Sequence, residues 1–413
     1  MKRDIVVIGA GLAGACAALA LAERGEPCTV LERDGQAMNR ASRRNEGKIH
    51  LGLIYAADPE GITADLVLRG ALTFAPLLRR WGADMGAVPV ARPFVYLVAE
   101  DSLTSPDALE AHYDALSAKA RARLAQDPTL DYLGRRPDRL ARRLGEAETA
   151  RWFSADQAQA AFQTEELAVD TDALGVEVRR ALDAHPLIEV LTDRDLRSAR
   201  RLAEGFRLEG QGPDGPFSLD ARRVINASWE NLYRFDEEAE GPAPAPGWLH
   251  RLKHRVMARL PARLDAAPSM TMVLGAYGDV VTWPGRLSYL SWYPSCCRGW
   301  TGDTAPPEAW NALCRGDRAD PALEAEIVAG ALEHLGAIMP GVEAAELGFV
   351  DAGAILAHGK TDVDDPGSGL HGRAEVGPKL RDGWMSLNPG KLTTAPLLGL
   401  EAAETLLSER AVT

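Results

Sequence analysis

The chain has 413 residues, of which 46% are hydrophobic and 25% charged, an ordinary composition for a globular protein. This length is too great for one simple core and predicts roughly two or three domains. The formal net charge of −13 disfavours binding to the phosphate backbone of a nucleic acid. No apolar run reaches the ~18 residues of a membrane span, so we expect no integral membrane segment. The five cysteines lack zinc-ligand spacing, which favours reduced thiols, a cytoplasmic location and no metal site.

A complete strand–helix–strand unit is predicted at the start of the chain. The continuously apolar run 4–8 is typical of a strand that is covered on both faces. Residues 15–24 predict an alanine-rich helix, and residues 29–32 predict a second strand. The segment between the first strand and the helix fits the pattern G-x-G-x-x-G and reads Gly9-Ala10-Gly11-Leu12-Ala13-Gly14.

This glycine segment is expected to bind the pyrophosphate of a dinucleotide. Gly9 permits a tight turn, Gly11 lets the pyrophosphate approach the backbone, and Gly14 lets the helix pack closely on the strand. The N-terminus of the helix then presents unpaired N–H groups to the phosphates. Glu32 ends the second strand, where its carboxylate can accept hydrogen bonds from a ribose and would repel a 2′-phosphate. The alternative is a glycine turn that binds nothing, and the motif alone does not distinguish FAD from NAD.

Beyond this unit the predicted elements alternate between helices and strands. Helices are predicted at 62–81, 107–125, 138–151, 172–184, 321–337 and 396–408. Strands are predicted near 94–98, 188–192, 206–209, 223–226, 271–274, 280–282, 288–293 and 384–388. Residues 237–247 are acidic and rich in proline, which is typical of a loop or a domain crossing.

Two distant segments indicate which dinucleotide is bound. Residues 41–52 read ASRRNEGKIHLG, and residues 388–396 read NPGKLTTAP. Both resemble segments of the D-amino-acid-oxidase-like superfamily of FAD-dependent oxidoreductases. The first is similar to the flavin-contacting loop of L-2-hydroxyglutarate and glycerol-3-phosphate dehydrogenases, and the second to an element near the flavin ring in the glycerol-3-phosphate branch. Residues 223–229 are similar to a strand-end segment of the same superfamily.

The resemblance implies FAD as cofactor and an α/β fold, in which a discontinuous Rossmann-like FAD-binding domain carries an inserted substrate domain of antiparallel sheet and helices. We expect the FAD-binding domain to comprise residues 1–90, 150–235 and 345–413, and the substrate domain residues 91–149 and 236–344. The predicted cofactor contacts are Gly9, Gly11, Leu12, Ala13, Gly14, Glu32, Arg33, Arg44, Asn45, Gly47, Leu196, Ala227, Gly390, Lys391, Leu392, Thr393 and Thr394.

Lys391 is the candidate cation beside the flavin ring. A cation and several backbone N–H groups can stabilise the negative charge that develops on the pyrimidine edge when the flavin is reduced. The alternative is a solvated lysine that precedes a helix capped by Thr393 or Thr394.

His50, Arg286 and Tyr289 are the candidate catalytic residues. An imidazole beside the flavin could take a hydroxyl proton while a hydride leaves the carbon. The alternatives for His50 are a neutral ring packed under the cofactor and, as in some amine-oxidising relatives, a covalent flavin link. Arginine can hold a carboxylate bidentately, and a tyrosine hydroxyl can supplement it. The nearby aromatic residues are Tyr277, Trp292 and Tyr293. Strand alternation puts Trp292 on the opposite face from Tyr289 and Tyr293. The alternative to substrate binding by these residues is an aromatic sheet face that packs against helices.

The predicted function is an FAD-dependent oxidase or dehydrogenase that abstracts a hydride from a carbon bearing an amine or a hydroxyl. A small carboxylate-containing substrate is expected, either an amino acid or a 2-hydroxy acid, with oxygen or another acceptor reoxidising the flavin. His50 favours the hydroxy acid, because an alcohol must lose its proton. The alternatives are oxidation of a secondary amine or biosynthetic intermediate, a non-catalytic flavin redox module and an NAD-dependent dehydrogenase. The sequence does not predict the oligomeric state.

Overall fold

A computed structural model describes residues 2–58, 60–243, 247–275, 277–358 and 376–408. In chain order the elements are β1 (Lys2–Ile8), α1 (Leu12–Glu23), β2 (Cys28–Leu31), β3 (Lys48–Ile49), α2 (Ile62–Arg80), β4 (Phe94–Val98), α3 (Pro106–Gln126), β5 (Ala141–Arg143), α4 (Glu146–Thr149), β6 (Ala160–Thr164), β7 (Leu167–Ala168), α5 (Thr171–Ala184), β8 (Ile188–Leu191), β9 (Asp195–Arg201), β10 (Phe206–Gly212), β11 (Gly215–Asn226), α6 (Leu232–Glu238), β12 (Trp248–Arg259), β13 (Ser269–Val273), β14 (Gly278–Val281), β15 (Ser288–Trp292), α7 (Tyr293–Cys296), β16 (Cys297–Thr301), α8 (Trp310–Arg315), α9 (Pro321–Ile338), β17 (Glu346–His358), β18 (Gly377–Arg381), β19 (Trp384–Asn388) and α10 (Ala395–Ser408).

The first large sheet is mainly parallel and has the order β18-β19-β11-β1-β2-β8, with β9 and β10 forming an extension on β11. The central strand β1 pairs in parallel with β2 on one side and β11 on the other. Its residues Val6 and Val7 are fully buried, because helices and further strands cover both faces of the sheet. A crevice opens at the carboxyl end of such a strand, where the neighbouring connections leave in opposite directions. This crevice positions the functional site.

The second large sheet has nine strands in the order β16-β12-β15-β14-β13-β4-β6-β5, with β17 paired along the length of β12. Its two faces differ in character, as the period of two along a strand requires. One face packs against α9 and contributes Val256, Met270 and Leu290 to an apolar core. The alternating face carries Lys253 and Tyr289 toward the first sheet.

Most predicted elements are confirmed within a few residues, including both strands and the helix of the first unit. The helix predicted at 138–151 is wrong: Ala141–Arg143 is an edge strand paired with β6, and only Glu146–Thr149 is helical. The exposed residues Arg142 and Arg143 of this edge strand give the sequence a charge pattern that is also typical of a solvated helix, which explains the wrong prediction. Part of the loop predicted at 237–247 belongs to the end of α6, and residues 244–246 lie outside the described chain.

Strands β12 and β17 were not predicted, although they form the longest ladder of the second sheet. β12 carries Arg251, Lys253 and Arg255 on its inner face, so it lacks the apolar alternation that marks a half-buried strand. The division into two domains stays a prediction. Strands β6 and β17 lie in the second sheet, whereas the predicted boundaries assign residues 150–235 and 345–413 to the FAD-binding domain. In the described part of the chain, no helix is long and apolar enough to cross a bilayer.

Replacing Gly14 with alanine is expected to destabilise the protein. A Cβ atom at Gly14 would lie 1.9 Å from the carbonyl oxygen of Gly9, so α1 must move away from the turn. Overpacking of this kind costs about 2 kcal/mol in the free energy of unfolding, which urea denaturation would measure. Gly302→Ala is the matched control, because a Cβ there meets no atom within 4 Å. Equal stability of the two variants would contradict this account of the turn.

Candidate active site

One cavity of about 390 Å³ lies at the carboxyl end of β1, between the two large sheets. Its volume is within the range of about 300–1,000 Å³ that is usual for small-molecule and cofactor sites. Thirteen of the seventeen predicted cofactor contacts line it: Gly9, Gly11, Leu12, Ala13, Glu32, Arg33, Arg44, Asn45, Leu196, Ala227, Gly390, Lys391 and Leu392. The catalytic candidates His50 and Tyr289 also line it.

The glycine turn forms the wall at the start of α1. Gly9 has φ +91°, and a Cβ there would lie 2.8 Å from the carbonyl oxygen of Ala227 at the end of β11. No side chain at Gly11 caps the helix, while the Leu12 N–H donates to the hydroxyl of Ser42 at 2.9 Å. The helix N-terminus therefore faces the cavity at a place where the backbone is open to a ligand, as anion binding requires. Ser42 also lines the cavity, although it was not among the predicted contacts.

Glu32 lies at the end of β2, beside the glycine turn. Its carboxylate accepts hydrogen bonds from the Ala10 N–H at 2.8 Å and from the Asp34 N–H at 2.9 Å. Burial raises the pKa of Glu32, in spite of these two donors. Each carboxylate oxygen keeps a further lone pair, so Glu32 can also accept from a ligand hydroxyl.

Four predicted cofactor contacts do not line the cavity, and each supports it instead. A Cβ at Gly14 would collide with Gly9, and one at Gly47 would lie 2.0 Å from the carbonyl oxygen of Val169. The Thr393 hydroxyl accepts from the His50 N–H at 2.9 Å and donates to the Lys48 carbonyl at 3.3 Å. The Thr394 hydroxyl donates to the Pro389 carbonyl within its own segment. The segment 388–396 is thereby joined to the loop 41–52, from which it is separated by more than 300 residues in the sequence.

His50 is held on both sides by other side chains. Its Nδ1 atom lies 3.1 Å from Oε1 of Glu166, and its Nε2 atom lies 3.4 Å from the Lys391 ammonium. Glu166 is fully buried and also accepts from the Leu51 N–H at 2.8 Å and from the Tyr96 hydroxyl. Burial raises the pKa of Glu166, but His50, Lys48 and the Tyr96 hydrogen bond outweigh this effect, so the pKa is lowered. Glu166 is thus an ionised partner that orients the imidazole.

Lys391 lies over the ring of Tyr55, with its ammonium 5.6 Å from the ring centroid. Together with its position beside His50, this contact places the cation in the cavity wall. The alternative of a lysine in open solvent does not fit this position. Glu166 had no signal in the sequence, because it lies 116 residues from His50 and in no recognisable motif.

Four charged side chains of alternating sign, Glu46, Lys48, Lys253 and Asp279, form what we call the charged chamber. Lys48 donates to Asp279 and to the Thr271 hydroxyl, both at 2.6 Å. Burial lowers the pKa of Lys253, but Tyr289, Glu46 and Asp279 outweigh it and raise the pKa well above its usual range. Burial raises the pKa of Glu46, but His50, whose Nε2 atom lies 3.8 Å away, and three nearby lysines hold it well below its usual range. Glu46 and Lys253 are therefore expected to be charged at neutral pH.

Arg251 lies beside the charged chamber and was not predicted. Its side chain is 1% exposed, its Nη1 atom donates to the Tyr293 hydroxyl at 2.8 Å, and its guanidinium lies 4.7 Å from the centroid of Trp300. Its Nε and Nη2 atoms are buried and have no hydrogen-bond partner among the described residues. A buried cation without an opposite charge is costly, so these donors indicate an anionic ligand.

Arg286 requires a correction, because the structure does not place it at the cavity. Its guanidinium pairs with Asp170 at 2.6 Å, and its side chain is 51% exposed. The alternation predicted for β15 is confirmed: Tyr289 faces the cavity, while Leu290 and Trp292 pack on the opposite side of the sheet. The neighbouring Tyr277 and Tyr293 also line the cavity.

Comparison with known proteins agrees with this geometry. The family model of FAD-dependent oxidoreductases, DAO, matches residues 4–404. Two curated relatives are tRNA 5-methylaminomethyl-2-thiouridine biosynthesis bifunctional proteins (MnmC). The one from Chromohalobacter salexigens is 33% identical over 153 residues, which cover 34% of this chain and 22% of the relative. The one from Ectopseudomonas mendocina is 29% identical over 274 residues, which cover 66% of this chain and 35% of the relative. The chain thus spans only about a fifth and a third of their lengths.

Similar solved structures show the same fold over nearly the whole chain. Glycine oxidase from Geobacillus kaustophilus has a TM-score of 0.66 and 17% identity, covering 98% of this chain and 95% of its own. Iminodiacetate oxidase from Chelativorans sp. BNC1 has a TM-score of 0.64 and 17% identity, with coverages of 98% and 95%. L-α-glycerophosphate oxidase from Mycoplasma pneumoniae, solved with FAD bound, has a TM-score of 0.61 and 13% identity, with coverages of 99% and 95%.

FAD fits the residues present. The cavity combines a helix N-terminus whose N-cap residue Gly11 carries no side chain, a tight turn at Gly9, and a carboxylate beside them. The family match extends over nearly the whole chain, including both segments that complete the cavity. The chain is an enzyme that uses FAD, and it belongs to the DAO family of FAD-dependent oxidoreductases.

Proposed function

We propose that this enzyme oxidises a carbon–nitrogen bond in a small substrate that carries both an amine and a carboxylate. The observation that carries the proposal is the buried guanidinium of Arg251, which has unpaired donors and lies in the same cavity as the acidic side chain of Glu46. An amino acid has the matching pair of charges. Its carboxylate would bind Arg251 and the Tyr293 hydroxyl, and its amine would face Glu46.

FAD, held by the glycine turn and Glu32, would supply the hydride acceptor for this oxidation, with oxygen or another acceptor as the final oxidant. The residues of this chain hold the substrate carbon at a fixed place and keep water away from it. Arginine binds a carboxylate through two parallel hydrogen bonds, which fixes orientation as well as position. Lys391 stabilises negative charge at the edge of the cavity next to His50. The held position of the substrate is the main contribution of such a site to the rate.

The names of two solved structures with this fold support an amine as substrate, since they are oxidases of glycine and of iminodiacetate. The curated relatives are named for the biosynthesis of a modified tRNA, but this chain spans a minor part of their length. The net charge of −13 gives no reason to expect tRNA as a substrate here.

Oxidation of a 2-hydroxy acid is the second candidate, and one observation favours it. Glu166 fixes the imidazole of His50 through Nδ1, so Nε2 is the nitrogen that faces the cavity and could take the proton of an alcohol. Nε2 lies 3.4 Å from the Lys391 ammonium, which competes for the same lone pair. This competition makes the amine the better supported substrate, because the ammonium group of an amino acid can release its proton to solvent before hydride loss, and the neutral amine then needs no base in the site.

Matched substrate pairs would distinguish the two candidates. The purified holoenzyme is mixed anaerobically with alanine or lactate, with glutamate or 2-hydroxyglutarate, and with N-methylglycine or iminodiacetate. We expect loss of the flavin absorbance near 450 nm with members of the amine set and no loss with the hydroxy acids. Bleaching by hydroxy acids alone would reject the amine proposal in favour of the second candidate.

Arg251→Gln is expected to raise the KM of the best carboxylate substrate by roughly tenfold to a hundredfold, since a hydrogen bond to a charged group contributes about 1.5–3 kcal/mol. Arg286→Gln is the matched control, because Arg286 is exposed and lies outside the cavity. The control should keep a KM within about threefold of wild type. For a substrate analogue without the carboxylate, both substitutions should leave the KM nearly unchanged. Equal KM values for the two variants would remove Arg251 from the binding site.

Glu166→Gln is expected to lower the free energy of unfolding by about 3 kcal/mol at pH 7, because it replaces a buried carboxylate that is hydrogen-bonded to His50, the Leu51 N–H and the Tyr96 hydroxyl. The pKa of Glu166 in the folded protein lies below its ordinary value of 4.5, so its contribution is present above pH 4.5 and is lost as the pH falls through the lowered pKa. Urea denaturation at pH 7 and pH 4 should therefore give a smaller difference between variant and wild type at pH 4. Glu165→Gln, at an exposed neighbouring position, should change stability little at either pH. A pH-independent difference would argue against a charged Glu166.

A further inference from the structure

A second buried carboxylate faces the cavity near Glu32. Glu230 follows β11 within the short 3₁₀ turn Trp229–Asn231, and it is only 3% exposed. Trp229 has φ +55°, a left-handed conformation that a bulky residue adopts at a cost of about 1–3 kcal/mol. Its indole N–H donates to the Ala354 carbonyl at 2.8 Å, which helps to hold this turn. The surrounding structure thus fixes where Glu230 points.

Only one of the two oxygens of Glu230 is used by the protein. Oε2 accepts from Arg33 and, at 3.2 Å, from Nη1 of Arg40. Oε1 is buried, and the described residues offer it no hydrogen-bond partner. A buried acceptor that stays unsatisfied costs about 1–3 kcal/mol, so a ligand donor is the partner to expect. Glu230 lines the same cavity as Glu32 and Arg33.

The ion pairs around Glu230 do not account for the free oxygen. Arg40 also binds Asp34 through two hydrogen bonds of 2.9 Å, so the two arginines and the two acids balance in charge. Asp34 has both oxygens occupied, by Arg40 and Asn39, and it does not line the cavity. Of these two acids, only Glu230 both lines the cavity and keeps an oxygen without a hydrogen-bond partner among the described residues.

This end of the cavity is where the adenosine half of the dinucleotide is expected. Glu32 at the end of β2 marks the ribose position in a Rossmann crevice, and Leu31 and Leu196 provide apolar walls beside it. Adenosine carries two kinds of donor, the ribose hydroxyls and the adenine amine.

We propose that Glu230 is a second carboxylate of the adenosine subsite, which accepts a hydrogen bond from a ribose hydroxyl or from the adenine amine of FAD. The glycine motif and Glu32 belong to the general dinucleotide pattern, whereas Glu230 is contributed by this chain outside that pattern.

Binding to the apoprotein tests the proposal without any turnover. FAD is titrated into the full chain stripped of flavin, and binding is followed by quenching of flavin fluorescence; ADP, 2′-deoxy-ADP, 3′-deoxy-ADP and IDP are then used as competitors. We expect Glu230→Gln to raise the Kd of FAD and of ADP by about tenfold or more, as loss of a charged acceptor would. Asp34→Asn, the control in the same ion network, should change both within about threefold.

The competitors identify the donor. If it is a ribose hydroxyl, the wild type should lose affinity for one deoxy nucleotide and the Glu230→Gln variant should lose less. If it is the adenine amine, the same difference should appear with IDP, which lacks that group. Similar effects of the Glu230 and Asp34 variants, or nucleotide preferences unchanged by Glu230→Gln, would overturn the proposal.

Glu230→Asp provides the same test if the glutamine variant does not fold. It keeps the charge that pairs with Arg33 and Arg40 but withdraws the carboxylate by one methylene. A wild-type Kd for FAD and ADP in this variant would also overturn the proposal.

Discussion

Charged side chains can be buried between two sheets only where each meets an opposite charge or a ligand. The cavity wall of this enzyme follows that constraint residue by residue. Lys48 meets Asp279, and Arg255 meets Asp351 through two hydrogen bonds. Arg251 and one oxygen of Glu230 are among the buried groups of the cavity wall that lack a hydrogen-bond partner in the described part of the chain. We propose that substrate and cofactor complete these two groups.

The same constraint explains why the second sheet has such different faces. Its outer face packs on α9 with aliphatic side chains and needs no polar compensation. On its inner face, Asp279 pairs with Lys48 of the loop 41–52 and Arg255 donates to the Asn45 carbonyl of the same loop, whereas Arg251 has no opposite charge beside it among the described residues. Under the proposed function, the second sheet would determine substrate specificity, while the first sheet and its glycine turn would hold the cofactor. The similarity of fold to several oxidases agrees with these separate roles, because the same cofactor-binding domain can be combined with different substrate-binding sheets.

The sequence brought most of the predicted cofactor contacts to one cavity, for physical reasons that are local. Gly9, Gly11 and Glu32 act through the backbone and through one βαβ unit, so their spacing in the chain determines their spacing in the fold. The substrate half depends on partners distant in sequence. Arg286 was predicted from its residue type, yet its partner is Asp170. The arginine of the proposed substrate site is Arg251 of β12. This strand was not predicted, because the charges on its inner face break the hydrophobic alternation of a half-buried strand. Glu166 became visible only once folding brought it to His50.

The hydrogen bonds of Thr393 have a consequence for how the holoenzyme is made. The loop that carries His50 and Lys48 obtains these contacts from a segment near residue 390, whose strand β19 also pairs with β11 in the central sheet. During synthesis on the ribosome, the glycine turn emerges long before this segment does. The nascent chain therefore lacks one wall of the cavity for most of its translation, and the loop that carries His50 obtains its Thr393 contacts only when this late segment has docked.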